Sequence, residues 1–571
     1  MLQGGYFMSS ENVPVLIVGG GPAGLSASLF LARQGVPSLL IESHPTTSTH
    51  PRARGLNLRT MELYRVAGLE KAVKAAGAAL AKSRYMLFVE SLAGTEIRRV
   101  PDDDLVATPE AIARLSPTNF CQCAQDELEP LLLKATRQLG AEVRFNIKLL
   151  SFIQDAEGVT AELVEHSTGQ QYRVRADYMI AADGASSPVR GQLGLEADWD
   201  SQAQNVVPDR GGPLGNYINI YFRADLTELV RDRWFGICFV ENPEVEGLFL
   251  AVNNSDRWLL NVAYSPAEGA TPADFTPQRC LELIRAAIGL PEIEVEILSV
   301  LPWEAAARIA RQMKVGRVFL AGDAAHVMPP SGGFGMNTGI QDGHNLAWKL
   351  ALVLKGAADP ALLETYETER LAAARLVVKQ AVEELQAPMP DSRPEDFNND
   401  NDEGDWQPGE PGEGLLDSLD VILGYQYLSQ AVIQSEDSSP ATAPSLTLMG
   451  QAGTRAPHLW LERDGVTIST LDLFDQHFVL LTGAAGEVWT EAARKAAATL
   501  KIELDIYSIG PKADLRDPSD SWAATYKVAE AGAVLVRPDG VIAWRNPDSE
   551  TPATALTKLE QAFSQLLGES R

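Results

Sequence analysis

Several short stretches of this chain carry residue types at spacings that suit a phosphate-linked ligand. Gly19, Gly21 and Gly24, with Pro22 and Ala23 among them, spell G-x-G-x-x-G. They follow the apolar, β-prone run 13–18 directly and open a segment, 25–34, with Leu25, Leu29 and Phe30 at helical spacing and Gly35 at its end. In that setting Gly19 permits the tight turn, Gly21 lets backbone approach a pyrophosphate, and Gly24 lets helix and strand pack closely. The helix N-terminus turns free N–H groups to the anion. A second strand, 38–41, delivers Glu42 eighteen residues after Gly24, where a carboxylate can accept hydrogen bonds from adenosine ribose hydroxyls. A dinucleotide site follows. The motif does not choose between FAD and NAD.

Two later stretches repeat the pattern of an apolar strand that ends in a carboxylate. In 178–190, Asp183-Gly184 leads into a polar turn. In 317–326, Gly322-Asp323 precedes Met-Pro-Pro-Ser-Gly-Gly-Phe-Gly-Met-Asn337 and a helix over 338–354. A glycine-rich turn into a helix offers backbone donors to a second anionic or electron-accepting group. A plainer reading makes Asp323 a helix cap and the glycines a loop.

The elements that must position these residues fill a long chain. It has 571 residues with 48 Lys and Arg against 76 Asp and Glu, a formal charge of −28 that repels nucleic acid and anionic membranes. Hydrophobic residues make up 45%, the composition of a globular protein with buried cores. Four cysteines, at 121, 123, 238 and 280, are too few for a disulfide scaffold, and no apolar run is long enough to span a bilayer. With no targeting signal in 1–7, a cytoplasmic location is expected. Cys121 and Cys123 read as small buried residues rather than a redox pair. His326 and His344 read as structural, and no cluster suggests a metal.

The middle of the chain alternates with period two. Over 216–222, Ile218, Ile220 and Phe222 take one face and Tyr217, Asn219 and Tyr221 the other. Segments 235–240, 248–253 and 258–264 continue an antiparallel sheet, which could wall a substrate cavity. Tyr217, Asn219 and Tyr221 are the candidate substrate residues, against the alternative that the tyrosines decorate a solvent face. Residues 387–414 hold nine acidic residues, one arginine and five prolines, the composition of a solvated linker. Beyond about 446 comes a strand–helix–strand–hairpin–helix order with no cysteine, so thiol redox chemistry is excluded there.

The three fingerprints in this order, G-x-G-x-x-G, Asp183-Gly184 and Gly322-Asp323 with its P-P-x-G-G-x-G-M-N continuation, resemble the p-hydroxybenzoate-hydroxylase-like flavoprotein monooxygenases over about 11–385. The resemblance implies an α/β fold: a Rossmann-like FAD-binding domain with an inserted antiparallel-sheet substrate domain. The C-terminal segment resembles the thioredoxin-like domain of the phenol-hydroxylase and polyketide-hydroxylase branch, with a packing or dimerisation role. The implied organisation is 11–195 for the first part of the FAD-binding domain, with an excursion near 83–115, and 196–305 for the substrate sheet. Residues 306–386 complete the FAD-binding domain, 387–445 form the linker and 446–571 the last domain. FAD is the implied bound cofactor and NAD(P)H the transient co-substrate, with no second dinucleotide motif to hold it.

By the same resemblance Gly19, Gly21, Gly24 and Glu42 hold the ADP half of FAD and Asp323, beside Gly322, meets the ribityl chain. Arg52 and Gln125 make further FAD contacts, and Asp183 links the flavin to nicotinamide binding. Gly335, Met336 and Asn337 face the pyrimidine edge, and the Pro330 carbonyl sits near the reactive C4a-hydroperoxide. The implied reaction is hydroxylation of an electron-rich aromatic ring, phenolic or polycyclic, with O2. One departure stands out: the phenol-hydroxylase branch has an aspartate beside the phenol where this chain has Arg54. A guanidinium cannot take a proton at neutral pH, so the substrate ionises readily or another group accepts it. The G-G-F-G-M-N-T-G-I-Q-D segment and Gly424–Tyr427 lean toward the bacterial polyketide hydroxylases of antibiotic biosynthesis. Baeyer–Villiger insertion, tetracycline inactivation and a non-catalytic flavin-binding partner are the competing readings. A homodimer stays open.

Overall fold

Four strand ends meet at one level because their backbones pair in register. In the computed structural model, which describes residues 10–101, 108–195, 214–386, 418–434 and 443–568, strands Ser10–Val18, Ser38–Glu42, Gln171–Ala181 and Val318–Leu320 run parallel in one eight-stranded sheet. Val18 lies opposite Ile41 and Ala181, and Ala181 opposite Leu320. The ladder continues past the strands: the Ala182 N–H donates to the Val18 carbonyl at 2.8 Å and the Ala321 N–H to that of Ala181 at 2.9 Å. Neighbouring strands lie about 4.8 Å apart. The three glycine–carboxylate turns are therefore side by side along the carboxyl edge, where open parallel sheets bind ligands. The acidic stretch 387–414 and the expected start of the substrate sheet at 196 lie outside the described residues.

Helices Pro22–Arg33 and Phe334–Leu354 cover this sheet and touch backbone to backbone. A Cβ on Gly339 would stand 2.9 Å from the Cα of Gly322, and one on Gly343 would stand 3.0 Å from Ala27. Only glycine at 339 and 343 against Ala23 and Ala27 allows that approach.

The second sheet has seven strands in the order Glu296–Ala305, Gly215–Arg223, Arg257–Tyr264, Val245–Ala251, Phe235–Asn242, Tyr85–Val89, Glu96–Pro101. It is antiparallel except where Phe235–Asn242 runs parallel to Tyr85–Val89, a strand from the earlier part of the chain. Ile218, Ile220 and Phe222 pack with Leu260 and Phe249 against Cys280, Leu283, Ile284 and Ala287 of helix Pro277–Ile288. That leaves the opposite face for the site.

The C-terminal unit has a four-stranded sheet ordered Leu504–Ile509, Phe478–Gly483, Ala533–Val536, Ile542–Asn546, the first pair parallel and the others antiparallel. Helices Glu487–Leu500 and Pro552–Leu566 pack together on one face around Trp489 and Phe563. This is a thioredoxin-like arrangement without cysteine.

The unit docks through buried charge. Arg537 donates to both oxygens of Glu369, at 2.6 and 3.0 Å, and pairs with Asp539; Lys349 reaches Glu369 at 2.8 Å. Arg59 donates to the Asp539 carbonyl at 2.6 Å, and Arg455 grips Glu62. Burial alone would raise the carboxyls of Glu62, Glu369 and Asp539, but their arginine and lysine partners outweigh it and hold all three below the usual range. Burial pushes Lys349 down to about 8 against the pull of Glu369. Removing one partner of such a group strands the others, at a cost of about 3–5 kcal/mol. Glu369→Gln is therefore expected to lower the denaturation midpoint sharply. Because these carboxyls are depressed in the folded chain, their contribution is complete above the ordinary glutamate value of 4.5 and fades as pH falls through the folded values. Melting curves across that acid range should lose stability in the parent and lose less in Glu369→Gln; parallel curves would refute this.

Candidate active site

The first turn is shaped by steric necessity. Gly19 takes φ +109°, and a Cβ there would meet the Ala182 carbonyl oxygen at 2.2 Å; one on Gly24 would meet the Gly19 oxygen at 2.0 Å. Gly21 differs: nothing lies within 4 Å of where its Cβ would be. Gly21 caps helix Pro22–Arg33 without any side-chain acceptor, so the N-terminal N–H groups face open space. Glu42 takes the Gly20 N–H at 2.6 Å on Oε2 and the His44 N–H at 2.8 Å on Oε1. Burial would raise its carboxyl, yet these N–H donors outweigh it and keep Glu42 ionised. A carboxylate has about four acceptor positions, so it retains capacity for hydroxyl donors.

The other two turns are tied to each other and to the long helix. Asp183 accepts from Ser187 Oγ at 2.5 Å and from the Val189 N–H at 3.0 Å, and so holds Ser187, the N-cap of helix Pro188–Gln192. Burial nevertheless raises its carboxyl. Arg190 bridges the two turns, donating to the carbonyls of Ala324 at 3.0 Å and Ala185 at 2.7 Å. Asp323 has an exposed side chain at its strand end, yet the protein around it strips enough hydration to push its carboxyl up against the pull of His326 and Arg52.

Asp342, for which the sequence reading gives no role, organises this end. Its Oδ2 accepts the Gly322 N–H at 3.0 Å and His326 Nε2 at 2.7 Å, while Oδ1 accepts Arg370 Nε at 2.7 Å. Arg370 also donates to Tyr427 Oη at 2.8 Å, giving the Gly424–Tyr427 stretch a buried anchor. His326 thus has an acidic partner sixteen residues away. Asp342 sits in the G-I-Q-D end of the fingerprint, which was the one available signal. Arg370 lies on a charged helix with no local mark.

Helix Phe334–Leu354 begins after two consecutive left-handed glycines, Gly332 and Gly333, with no side-chain cap. Its first N–H groups, including those of Gly335 and Met336, point out of the helix end. A Cβ on Gly335 would meet only Met328, at 3.7 Å. Pro330 is exposed, and its carbonyl accepts the Gly333 N–H at 3.1 Å. Asn337 does something more specific than offer an amide to a ligand. Its Oδ1 accepts the Asn57 N–H at 3.0 Å, and its Nδ2 donates to the carbonyls of Gly55 at 2.9 Å and Gly333 at 2.7 Å.

The loop 50–57 held by Asn337 also touches the seven-stranded sheet. Gln125 and Ala53 exchange backbone and side-chain bonds at 2.9 and 3.4 Å. Arg52 is exposed, close enough to Asp323 to act on its charge. Arg54 Nη1 donates to the carbonyls of Gly236 at 2.9 Å and Ala251 at 2.6 Å, in two strands of the sheet. No carboxylate pairs with Arg54 among the described residues, and burial lowers it to about 10, still a cation at neutral pH. His50 Nδ1 meets Ser299 Oγ at 2.6 Å.

The tyrosines of the wall are not solvent decoration. Tyr221 is 5% exposed and packs with Ala124, Val252 and Leu259. Tyr217 stacks on Trp303 with ring centroids 4.6 Å apart. Asn219 shares their face by alternation. Thus the strand-end turns, the helix N-terminus and the sheet face bound one cleft, with loop 50–57 between them. The four cysteines are buried free thiols, and no group of metal-ligating side chains occurs among the described residues. No helix among them is long and apolar enough to cross a membrane.

Comparison with known proteins agrees with this geometry. Residues 12–381 match the FAD binding domain family and 449–570 the C-terminal family of aromatic-ring hydroxylases. The chain is 40% identical to the tetracenomycin A2 monooxygenase-dioxygenase of Streptomyces glaucescens, over 99% of this chain and 98% of that one. It is likewise 40% identical to a 4-methyl-5-nitrocatechol 5-monooxygenase of a Burkholderia species, over 96% of each. The crystal structure of aklavinone-11 hydroxylase with FAD and aklavinone superposes with a TM-score of 0.85 at 37% identity, covering 98% of this chain and all of that one. With uncapped helix ends, a glycine cradle open at Gly21 and an accessible carboxyl at Asp323 fitting a flavin dinucleotide, the chain belongs to the FAD-dependent aromatic-ring hydroxylases.

Proposed function

We propose that this enzyme oxygenates a fused polycyclic phenol or quinone of polyketide type, using FAD and a transient NADH or NADPH. The observation that carries the reading is the double attachment of loop 50–57. It is fixed to the helix N-terminus through Asn337 and to the sheet through Arg54 and His50. A ligand lying along the strand ends therefore continues onto the sheet face.

In this reading Gly19, Gly21, Pro22, Ala23 and Gly24 present the helix N-terminus to the pyrophosphate, and Glu42 accepts the ribose hydroxyls. Gly322 and Asp323 meet the ribityl chain, with Arg52 and Gln125 alongside. Bound FAD supplies electron transfer and, with O2, the oxygenating chemistry. The N-terminal N–H groups of Gly335 and Met336 stabilise negative charge at the pyrimidine edge. Asn337 acts by holding loop and helix together. Pro330 lines the mouth of the cleft, and Asp183 acts by holding Ser187, the cap of helix Pro188–Gln192. Tyr217, Asn219 and Tyr221 face the substrate. Arg54, a half-buried cation without a carboxylate, lowers the cost of ionising a substrate hydroxyl, whose proton then passes to solvent without a carboxylate base at this position.

The direct test is a screen of phenolic and polycyclic aromatics for accelerated NAD(P)H consumption coupled to a product heavier by one oxygen atom. Ring connectivity of the product separates hydroxylation from insertion, and flavin binding with no stimulation by any aromatic would overturn the reading in favour of a non-catalytic protein.

Two variants separate cradle from packing. Gly21→Val adds a side chain to open space, so the protein should emerge depleted of flavin yet melt at the same temperature as the flavin-free parent. Gly24→Val collides with the Gly19 carbonyl and should cost stability, about 1–3 kcal/mol by overpacking. Equal flavin content in Gly21→Val and the parent would refute the pyrophosphate assignment.

Arg54→Met should leave flavin binding intact and lower kcat/KM by about 10–100-fold, the worth of a charge-assisted hydrogen bond. It should also move the ascending, acid-side limb of the pH profile to higher pH as the substrate hydroxyl loses its cation. An unchanged limb would exclude this role.

A further inference from the structure

The cysteine-free C-terminal unit reaches the flavin side of the molecule through one short helix. Loop 50–57 ends at Asn57, whose N–H donates to Asn337 Oδ1 and whose own Oδ1 accepts the Thr60 N–H at 3.0 Å as the N-cap of helix Leu58–Val66. That helix has nine residues, and a helix shorter than about 12 residues is marginal by itself in water. Its placement therefore comes from its neighbours. Met61 and Tyr64 sink into the core of the eight-stranded sheet, and Leu58 joins the apolar cluster around Phe334.

The polar residues of the first turn are held by the C-terminal unit. Arg59 Nη2 donates to the Asp539 carbonyl at 2.6 Å and its Nη1 to Glu62 at 3.2 Å. Glu62 accepts Arg455 Nε and Ser116 Oγ, each at 2.8 Å. Arg455 belongs to the same unit, and its backbone bridges to Val541 beside the Asp539–Gly540 turn. Gly540 takes φ +74°, and a Cβ there would lie 3.7 Å from Arg59 Nη2, so the turn sits directly on the guanidinium. Arg59, Glu62, Arg455 and Asp539 are each no more than 6% exposed. Charges this deeply buried allow few other arrangements, because a displaced one stays unpaired. The far end of the helix has a clasp of its own: Arg65 donates to both oxygens of Asp472, at 2.8 and 3.0 Å, from a side chain 26% exposed. Six helical residues span about 9 Å, so this second clasp binds the same helix to the same unit away from the loop.

We propose that Arg59 is a positioning residue for the flavin site: through it the Asp539–Gly540 turn fixes the start of helix Leu58–Val66 and, with it, loop 50–57. The C-terminal unit thereby takes part in retaining the cofactor. This rests on the placement of flavin beside loop 50–57 in the reading above.

The test compares Arg59→Met, Arg59→Lys and Arg65→Met in the full-length, flavin-loaded enzyme. Arg59→Met leaves Glu62 paired with Arg455 and Ser116, while the Asp539 carbonyl loses its donor. Flavin loss after dilution is followed by the rising fluorescence of released FAD, and melting points are taken on flavin-free protein, so that cofactor binding does not enter them. Both methionine variants remove a clasp and should melt below the parent. Arg59→Met should release flavin about 10-fold faster, the worth of one hydrogen bond from a charged group. Arg65→Met should stay within about 2-fold of the parent, the scatter of independent sites. Arg59→Lys keeps a charged donor and should recover part of the retention. Equal release from the two methionine variants, release from Arg59→Met at the parent's rate, or no recovery in Arg59→Lys would overturn the proposal. Should Arg59→Met fail to fold, Arg59→Lys against Arg65→Met decides: faster release from the lysine variant supports the role and equal release refutes it. Gly21→Val tests the flavin placement separately. If that variant keeps its flavin the underlying reading falls, whereas a depleted Gly21→Val beside an unaffected Arg59→Met overturns the coupling alone.

Discussion

The close approach of two helices is the constraint on which the cleft depends. Helices Pro22–Arg33 and Phe334–Leu354 come from opposite ends of the nucleotide-binding sequence, and both begin at the carboxyl edge of the eight-stranded sheet. Gly339 against Gly322 and Gly343 against Ala27 let them pack at backbone distance. Larger residues would push the second helix away and with it the N–H groups at its start. Asp342, about two turns inside that helix, then locks the Gly322 turn by a direct hydrogen bond. Two positive helix ends are thereby fixed along one edge of the sheet.

Charge burial extends the same rigidity to the C-terminal unit. Glu369 and Lys349 belong to the helices behind the cleft, whereas Arg537 and Asp539 form a turn of the thioredoxin-like sheet. Ion pairs of this kind are poor sources of net stability compared with apolar packing, but they tolerate few alternative arrangements because a misplaced charge stays unpaired. Trp348, edge-on to Phe478 at 5.9 Å, supplies the apolar part of the contact. Without cysteine, the domain buttresses the flavin helix rather than exchanging thiols.

The substrate wall follows a different logic. Its inner face is fully apolar and packs on a helix, while its outer face keeps polar atoms buried and unsatisfied at a cost to the isolated chain. Arg54 adds a cation balanced only by two carbonyls.

By itself the sequence determined the strand–turn–helix units. Gly19 to Gly24 and the run before it are legible because turn sterics and hydrophobic period act over a few residues; a helix over 25–34 was expected and Pro22–Arg33 is found. The alternation in 216–222 was legible for the same reason, and it placed Ile218 and Tyr217 on opposite faces. What Tyr217 and Tyr221 meet was not, since Trp303, Ala124 and Leu259 are distant in sequence. Asn337 read as a ligand-facing amide, but folding commits it to Gly55 and Asn57, some 280 residues upstream. The contacts of Asp342, Arg370 and His50 likewise came only from tertiary structure. Local backbone geometry is written in neighbouring residues, whereas the partner of a buried polar group is chosen by which distant segments pack beside it.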